Sequence, residues 1–298
     1  MRSVVTLVTN PHTPGLDKRL VDLAAAALAD SGTPPAPAEW LARGVACDLP
    51  LADAEPAAAE RAVRAALGAA PVDIAGQPQT GRRKRLLVAD MDSTVVAAET
   101  LDELADIAGI RDRVAPITAQ AMNGEIDFAE ALRRRVAMLA GLPESALAAA
   151  LARLRPMPGA RTLVRTMRAH GAGAALVSGG FRWFTERIAA TVGFDCHEAN
   201  ELIVADGRLT GRVAEPILGS AAKLAALDRL AAERGLGLAE TLAVGDGAND
   251  LPMLGAAGLG VAFRARPAVA AAARWRVDHG DLTALLYLQG YRASEFRD

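Results

Sequence analysis

Residues 86–96 read Leu-Leu-Val-Ala-Asp-Met-Asp-Ser-Thr-Val-Val. Leu86 to Ala89 has the apolar run of a buried strand, and it ends in two carboxylates, Asp90 and Asp92, followed by Ser93 and Thr94. Unpaired buried charge is costly, so carboxylates at the end of a buried strand point to chemistry. Asp and Ser-Thr are also ordinary turn residues, so this stretch alone leaves a plain turn open. As chemistry, Asp90 can attack an electrophile and form a covalent intermediate. Asp92, two residues on, points to the same side and can give and take a proton. Ser93 and Thr94 add hydroxyl and N–H donors for an anion.

Two later strands end in the same way. Ala174 to Val177 runs into Ser178-Gly179-Gly180, where a hydroxyl and close backbone approach suit a phosphate oxygen. Leu242 to Val244 runs into Gly-Asp-Gly-Ala-Asn-Asp, residues 245–250. Between them Lys223 stands in the first turn of a predicted helix over 221–234. There it opposes the helix dipole and becomes sensible beside a phosphate. Asp90 and Asp246 are hard oxygen donors suited to Mg²⁺. Asp92 can add its backbone carbonyl, while Asn249 and Asp250 orient the ligands or Lys223. No His/Cys cluster points to zinc. The implied reaction is two-step phosphoryl transfer through Asp90, with Asp92 as acid and then base, and Ser178 and Lys223 holding the equatorial oxygens.

The elements around these residues predict an α/β protein. Strands and helices alternate over residues 1–80, which read as a small α/β unit, with Asp53 a candidate cap for a helix over 54–67. Gly76 to Gly81 reads as a linker. Arg82-Arg83-Lys84-Arg85 reads as a solvated linker rather than a nucleic-acid patch, being short and without aromatic residues. Residues 81–298 form the second unit. Its first strand is followed by a helical insertion over about 98–155, placed to act as a lid over the strand ends. Within it Phe128 and Arg135 are seven apart and share a helix face, and Glu99 opens the first helix near the Asp pair. Glu99 and Arg135 could hold the ammonium and carboxylate of an amino acid, or be ordinary helix-surface charges.

Composition limits the alternatives. The chain has 298 residues, is 51% hydrophobic and carries a formal net charge of −2, so no global field draws it to nucleic acid. No apolar run approaches the ~18 residues of a membrane span, and Pro11 and Pro14 interrupt the N-terminus before a signal-peptide core forms. Cys47 and Cys196 lie far apart, as reduced thiols would. A cytoplasmic enzyme is expected, with residues 1–80 a possible homodimer contact.

Together, Asp-Met-Asp-Ser-Thr (90–94), Ser-Gly-Gly (178–180), Lys223 and Gly-Asp-Gly-Ala-Asn-Asp (245–250) resemble the four motifs of the haloacid-dehalogenase-like hydrolases. More narrowly, residues 85–285 resemble the phosphoserine phosphatases among them. The resemblance implies a Rossmann-like core, a helical cap and Mg²⁺ bound at Asp90, Asp92 and Asp246. It implies Asp90 as nucleophile, Asp92 as acid/base, and L-phosphoserine as substrate. Glu99 and Arg135 would bind its amino and carboxylate groups, with Met122 and Phe128 lining the lid. Ser178, Gly179 and Lys223 would hold phosphate, assisted by Asn249. Residues 1–80 look like degenerate ACT-type regulatory domains. Two other readings stay open: a phosphatase or phosphotransferase acting on another small metabolite such as homoserine phosphate, and an amino-acid-binding regulator with a vestigial core.

Overall fold

The computed structural model describes residues 2–298 apart from 123–124, and the side chains of 121 and 122 also lie outside the described residues. The first unit comprises β1 (Ser3–Val8), α1 (Lys18–Asp30), β2 (Glu39–Ala42), β3 (Ala46–Leu51), α2 (Pro56–Leu67) and β4 (Asp73–Pro78). Its sheet has the order β2-β3-β1-β4 and every pairing is antiparallel, a βαββαβ arrangement of ferredoxin-like type. Its own apolar core joins Val5, Leu7, Val21, Leu28, Leu49 and Val63. The cap of α2 is Glu55, not Asp53: its carboxylate accepts from the N–H groups of Ala57 and Ala58 at 2.8 and 2.6 Å. Pro56 at the first helical position sets that start, which leaves the residue just before it as the cap. β4 also runs through Gly76, where a linker was expected. The strand passes so close to α2 that a Cβ on Gly76 would lie 2.1 Å from the Pro56 carbonyl oxygen.

The second unit opens with β5 (Leu86–Ala89), then the lid helices α3 (Thr100–Ile107), α4 (Arg111–Met122), α5 (Phe128–Ala137) and α6 (Ser145–Arg153). There follow α7 (Ala160–Ala169), β6 (Gly173–Phe181), α8 (Arg182–Val192), β7 (Cys196–Asn200) and a hairpin of β8 (Leu202–Ala205) and β9 (Arg208–Val213). The chain closes with α9 (Ser220–Glu233), β10 (Thr241–Gly245), α10 (Leu251–Ala256), β11 (Leu259–Phe263), α11 (Pro267–Ala272), β12 (Trp275–Val277) and α12 (Ala284–Leu288). β12-β11-β10-β5-β6-β7 form one parallel sheet. Leu86 and Val88 face one apolar layer, with Ala226, Leu227 and Met253. Leu87 and Ala89 face the other, which continues into the lid through Leu104, Leu132 and Leu147. That alternation is the period-2 pleat of a strand buried on both faces.

Two consequences position the site. The chain leaves β5 toward β6 and β7, then returns to the other side of β5 for β10 to β12. The crevice between β5 and β10 is therefore the switch point where open α/β sheets bind ligands. The lid in turn is tied to the β8–β9 hairpin: Gly141 N–H donates to the Leu209 carbonyl at 2.8 Å and Glu144 N–H to that of Gly207 at 2.9 Å. The hairpin turn, Asp206-Gly207, has φ of 50° and 69°, the left-handed pair that an Asp-Gly turn supplies.

The basic run 82–85 is only half solvated: Arg83 and Arg85 are exposed as expected, while Arg82 and Lys84 are not. Arg82 is buried and donates to both Asp48 oxygens at 2.7 and 3.1 Å, to Thr6 Oγ1 at 2.9 Å and to the carbonyls of Leu288 and Tyr287. Lys84, also buried, donates to the carbonyls of Gly81 and Ala239. From the opposite side the buried Asp73 carboxylate accepts from the N–H groups of Asp278, His279 and Gly280. Arg82 and Asp73 thus fasten the first unit to the second through desolvated polar contacts. Removing one partner of such a buried pair strands the other. Arg82→Ala is expected to lose about 3–5 kcal/mol in denaturant unfolding. Arg82→Lys should recover only part of it, because an ammonium cannot span the same fork of acceptors.

Candidate active site

Asp90 is the first residue past β5, and its N–H donates to the Val244 carbonyl at 3.0 Å, continuing the ladder with β10. Lys223 reaches it from α9. The ammonium lies 2.7 Å from Asp90 Oδ1 and 2.6 Å from Asp250 Oδ1, with Lys223 2% and Asp250 0% exposed. The other Asp250 oxygen accepts from Gly247 N–H at 2.9 Å. Gly245 makes room for this carboxylate, since a Cβ there would lie 2.3 Å from Asp250 Cγ. Burial alone would lower the Lys223 ammonium; the Asp90 and Asp250 charges outweigh it and hold the proton on. Burial pushes Asp90 well above the ordinary carboxylate range against the pull of Lys223.

Asp92 is held differently. Its Oδ1 accepts from Thr100 N–H at 2.9 Å and its Oδ2 from Thr100 Oγ1 at 3.3 Å. Burial first, then the Glu99 charge, push it up to about 7 against those two hydrogen bonds. Between the two aspartates and Thr94 the chain turns tightly, with Ser93 at φ 57°. Thr94 is buried and its hydroxyl donates to Asp246 Oδ1 at 2.9 Å. Burial raises Asp246 to about 6, opposed by that hydrogen bond.

Carboxylate oxygens of Asp90, Asp246 and Asp250 all lie within 4.8 Å of one another. This is a hard-oxygen donor set suited to a divalent cation. Asp250 is committed at both oxygens, to Lys223 and Gly247, which leaves Asp90 and Asp246 as the stronger ligands. The Asp92 carboxylate is turned to Thr100 and stands outside this group, so any part it has in a metal site runs through its backbone.

The third strand end is a bulge rather than a simple turn. β6 continues through Ser178-Gly179-Gly180 to Phe181, and its register with β7 shifts between Val177 and Phe181. Ser178 is buried and its Oγ accepts from Gly180 N–H at 2.8 Å. A Cβ on Gly180 would lie 2.7 Å from Asp92 Oδ2, which brings this loop against the first. Asn249 lies over the neighbouring turn: a Cβ on Gly247 would meet its Oδ1 at 2.2 Å.

In the lid, Phe128 sits on Gly179, where a Cβ would lie 2.8 Å from Phe128 Cζ. The three arginines divide. Arg133 pairs with Glu215 and Arg134 with Glu130, both at the surface. Arg135 is half-buried, with Nε donating to the Ala131 carbonyl at 3.2 Å. Burial lowers its pKa, while the charges of Asp102, Glu99 and Asp92 oppose that shift. Glu99 accepts from Ser93 Oγ at 2.8 Å. The side chain of Met122, expected to line the lid, lies outside the described residues. Sequence reasoning missed Thr100, the Asp92 partner, and Asn200, whose amide reaches the Gly179 carbonyl. Neither carries a motif signal beyond its place beside one.

The model of the haloacid dehalogenase-like hydrolase family matches residues 87–255, and the chain belongs to that family. It is 48% identical over 214 residues to the phosphoserine phosphatase SerB2 of Mycobacterium tuberculosis, covering 72% of this chain and 52% of that protein. Among solved structures, a HAD-family hydrolase of Salmonella enterica serovar Typhi superposes with TM-score 0.83 at 30% identity, over 96% of this chain and 98% of that one. A phosphoserine phosphatase carrying a phospho-aspartyl intermediate analogue matches with TM-score 0.65 at 40% identity, over 69% of this chain and 98% of that one. The chain spans about half the length of the first curated relatives it matches. Among the described residues no helix is long and apolar enough to cross a membrane.

A cation that binds the folded acidic cluster stabilises it by mass action. Millimolar Mg²⁺ is expected to raise the thermal midpoint of the protein, and Asp246→Asn to lose most of that increment, in a thermal-shift titration.

Proposed function

We propose that the protein is a phosphoserine phosphatase that hydrolyses L-phosphoserine to L-serine and phosphate, the last step of serine biosynthesis. The observation that carries this reading is the Lys223 ammonium held between Asp90 and Asp250 at the switch point, with Asp92 beside the Ser178–Gly180 bulge; Glu99 and half-buried Arg135 of the lid suit the amino-acid end of the substrate. Membership of the hydrolase family and the names of the relatives support it.

An Asp90 oxygen attacks phosphorus and the ester P–O bond breaks. Asp92, in its acid form, gives its proton to the departing serine oxygen. Asp92, now a carboxylate, takes a proton from water as that water attacks phosphorus, breaking the bond to Asp90 and freeing phosphate. A carboxyl that titrates near 7 is suited to both halves, since it is neither a locked acid nor a weak base at neutral pH. Lys223, Ser178 and the Gly179 N–H hold the non-bridging oxygens, with Asn249 assisting. Mg²⁺ bound by Asp90 and Asp246 would supply further positive charge against the phosphoryl oxygens. Arg135 takes the substrate carboxylate and Glu99 its ammonium, with Phe128 against the carbon between; the side chain of Met122, the other lid residue expected there, lies outside the described residues. Residues 1–80 and 81–298 serve as two domains, the first a regulatory-like unit and a homodimer contact, in a cytoplasmic enzyme.

Phosphate release from L-phosphoserine, phosphothreonine and p-nitrophenyl phosphate, with Mg²⁺ and with EDTA, tests the reading. Mg²⁺-dependent release that favours phosphoserine is expected. Release from p-nitrophenyl phosphate alone would discard the substrate. Transfer to homoserine in preference to water would make the protein a phosphotransferase. Asp90→Asn should cut turnover on the order of 10⁴-fold or more, and steady-state turnover near the wild-type rate would sink the covalent route. Arg135→Ala should raise KM for phosphoserine by about 10–100-fold, as loss of a charged hydrogen bond does, while p-nitrophenyl phosphate kinetics stay unchanged.

A further inference from the structure

Asn200 ends β7 and is 2% exposed. β6 and β7 pair at Val177 with Glu198, and again at Phe181 with Asn200. Ser178, Gly179 and Gly180 therefore stand opposite the single residue Ala199. A bulge of this kind leaves peptide groups without ladder partners. The Asn200 side chain takes up the difference. Its Nδ2 donates to the Gly179 carbonyl at 2.9 Å and to the Leu218 carbonyl at 3.2 Å, and its Oδ1 accepts from Leu218 N–H at 2.7 Å.

These contacts join two loops. The Gly179–Gly180 peptide is held at both ends, its carbonyl by Asn200 and its N–H by Ser178 Oγ, so it cannot turn over without losing both bonds. Leu218 directly precedes Gly219, the cap of α9, which carries Lys223. Phe128 of the lid lies across both loops: a Cβ on Gly179 would be 2.8 Å from its Cζ, and one on Gly219 3.4 Å from its Cδ1.

We propose that Asn200 is a positioning residue that ties the Ser178-Gly179 bulge to the start of the Lys223 helix. It thereby sets the spacing of the two groups that grip the phosphoryl oxygens and forms the floor under Phe128. The inference rests on reading the site as a phosphate-ester hydrolase. It follows from the hydrogen-bond inventory: an amide has the two donors and one acceptor these loops present partners for. An aspartate of the same shape would keep the acceptor for Leu218 N–H but aim an oxygen, in place of Nδ2, at both carbonyls.

Steady-state kinetics of Asn200→Asp with L-phosphoserine and p-nitrophenyl phosphate, with inorganic phosphate as inhibitor, tests this. Misplacement of a gripping group on the ångström scale costs about 10²-fold. A fall of that order in kcat/KM is expected for both substrates, with the inhibition constant for phosphate raised. A merely structural role would shrink the folded fraction, lowering kcat and leaving KM and the phosphate constant untouched; that result overturns the proposal, as do unchanged kinetics. If Asn200→Asp does not fold, Asn200→Ser, which keeps one hydrogen-bonding group without adding charge, is read in the same way. Absence of turnover in the wild type would overturn the phosphatase reading instead. The thermal shift given by inorganic phosphate with Mg²⁺ then decides Asn200: a shift lost in the variant supports its role, and an equal shift, or none in the wild type, overturns it.

Discussion

The ammonium of Lys223, buried between Asp90 and Asp250, is the contact on which the site depends. Removing an isolated charge from water costs several kcal/mol even after relaxation. Each of these three groups is therefore tolerable only because the other two are present. The requirement reaches outward. Gly245 must lack a side chain so that Asp250 can lie against the strand end, and Gly247 must present its N–H to the second Asp250 oxygen. α9 must begin close enough for a first-turn lysine to cross to β5. Lys223 thus binds together β5, the helix before β10, and the turn after β10, which is the whole of the switch point.

One cation does not balance this pocket. Asp90, Asp92, Asp246 and Asp250 surround a single ammonium, and burial pushes the first three upward in pKa. A phosphate ester, the substrate proposed above, would add negative charge to the same space. The pocket can accept such an anion only if more positive charge enters with it, which is the electrostatic case for a divalent ion on Asp90 and Asp246. The same crowding makes Asp92 useful. Hydrogen-bonded to Thr100, its carboxyl is pushed up to about 7 by burial and the Glu99 charge.

Much of this was legible because the chemistry sits at strand ends. The three apolar runs 86–89, 174–177 and 242–244 each stop at polar or glycine residues, and the burial of β5 on both faces follows directly from its all-apolar sequence. Helix limits follow from the sequence where a cap stands at the boundary, as at Asp127, whose carboxylate accepts from Glu130 N–H at the start of α5. The cap at Glu55 was missed because an acidic residue was available on either side of Ala54, and only the proline position decides between them. β7, reading Cys-His-Glu-Ala-Asn, has no apolar run; it is a strand because β6 offers it an edge. Arg82 and Asp73 were illegible for a related reason. Their partners, Asp48, the carbonyls at 287–288 and the N–H groups at 278–280, are distant in sequence, and a basic run with no visible partner reads as solvated.

The lid obeys the same electrostatic logic as the core. Three consecutive arginines could all have stayed in water, and two do, each on a surface glutamate. Arg135 instead loses solvation without an ion pair among the described residues; its hydrogen bonds there go to the Ala131 carbonyl and, at 3.5 Å, to Thr118. Exposed arginines rarely give up water for so little. A guanidinium kept half-dry, its charge favoured by Asp102, Glu99 and Asp92 but hydrogen-bonded to none of them, suits the substrate carboxylate proposed above. Glu99, accepting only a serine hydroxyl among the described contacts, is the complementary group. The proposed substrate, with a carboxylate and an ammonium close together, would satisfy both at once.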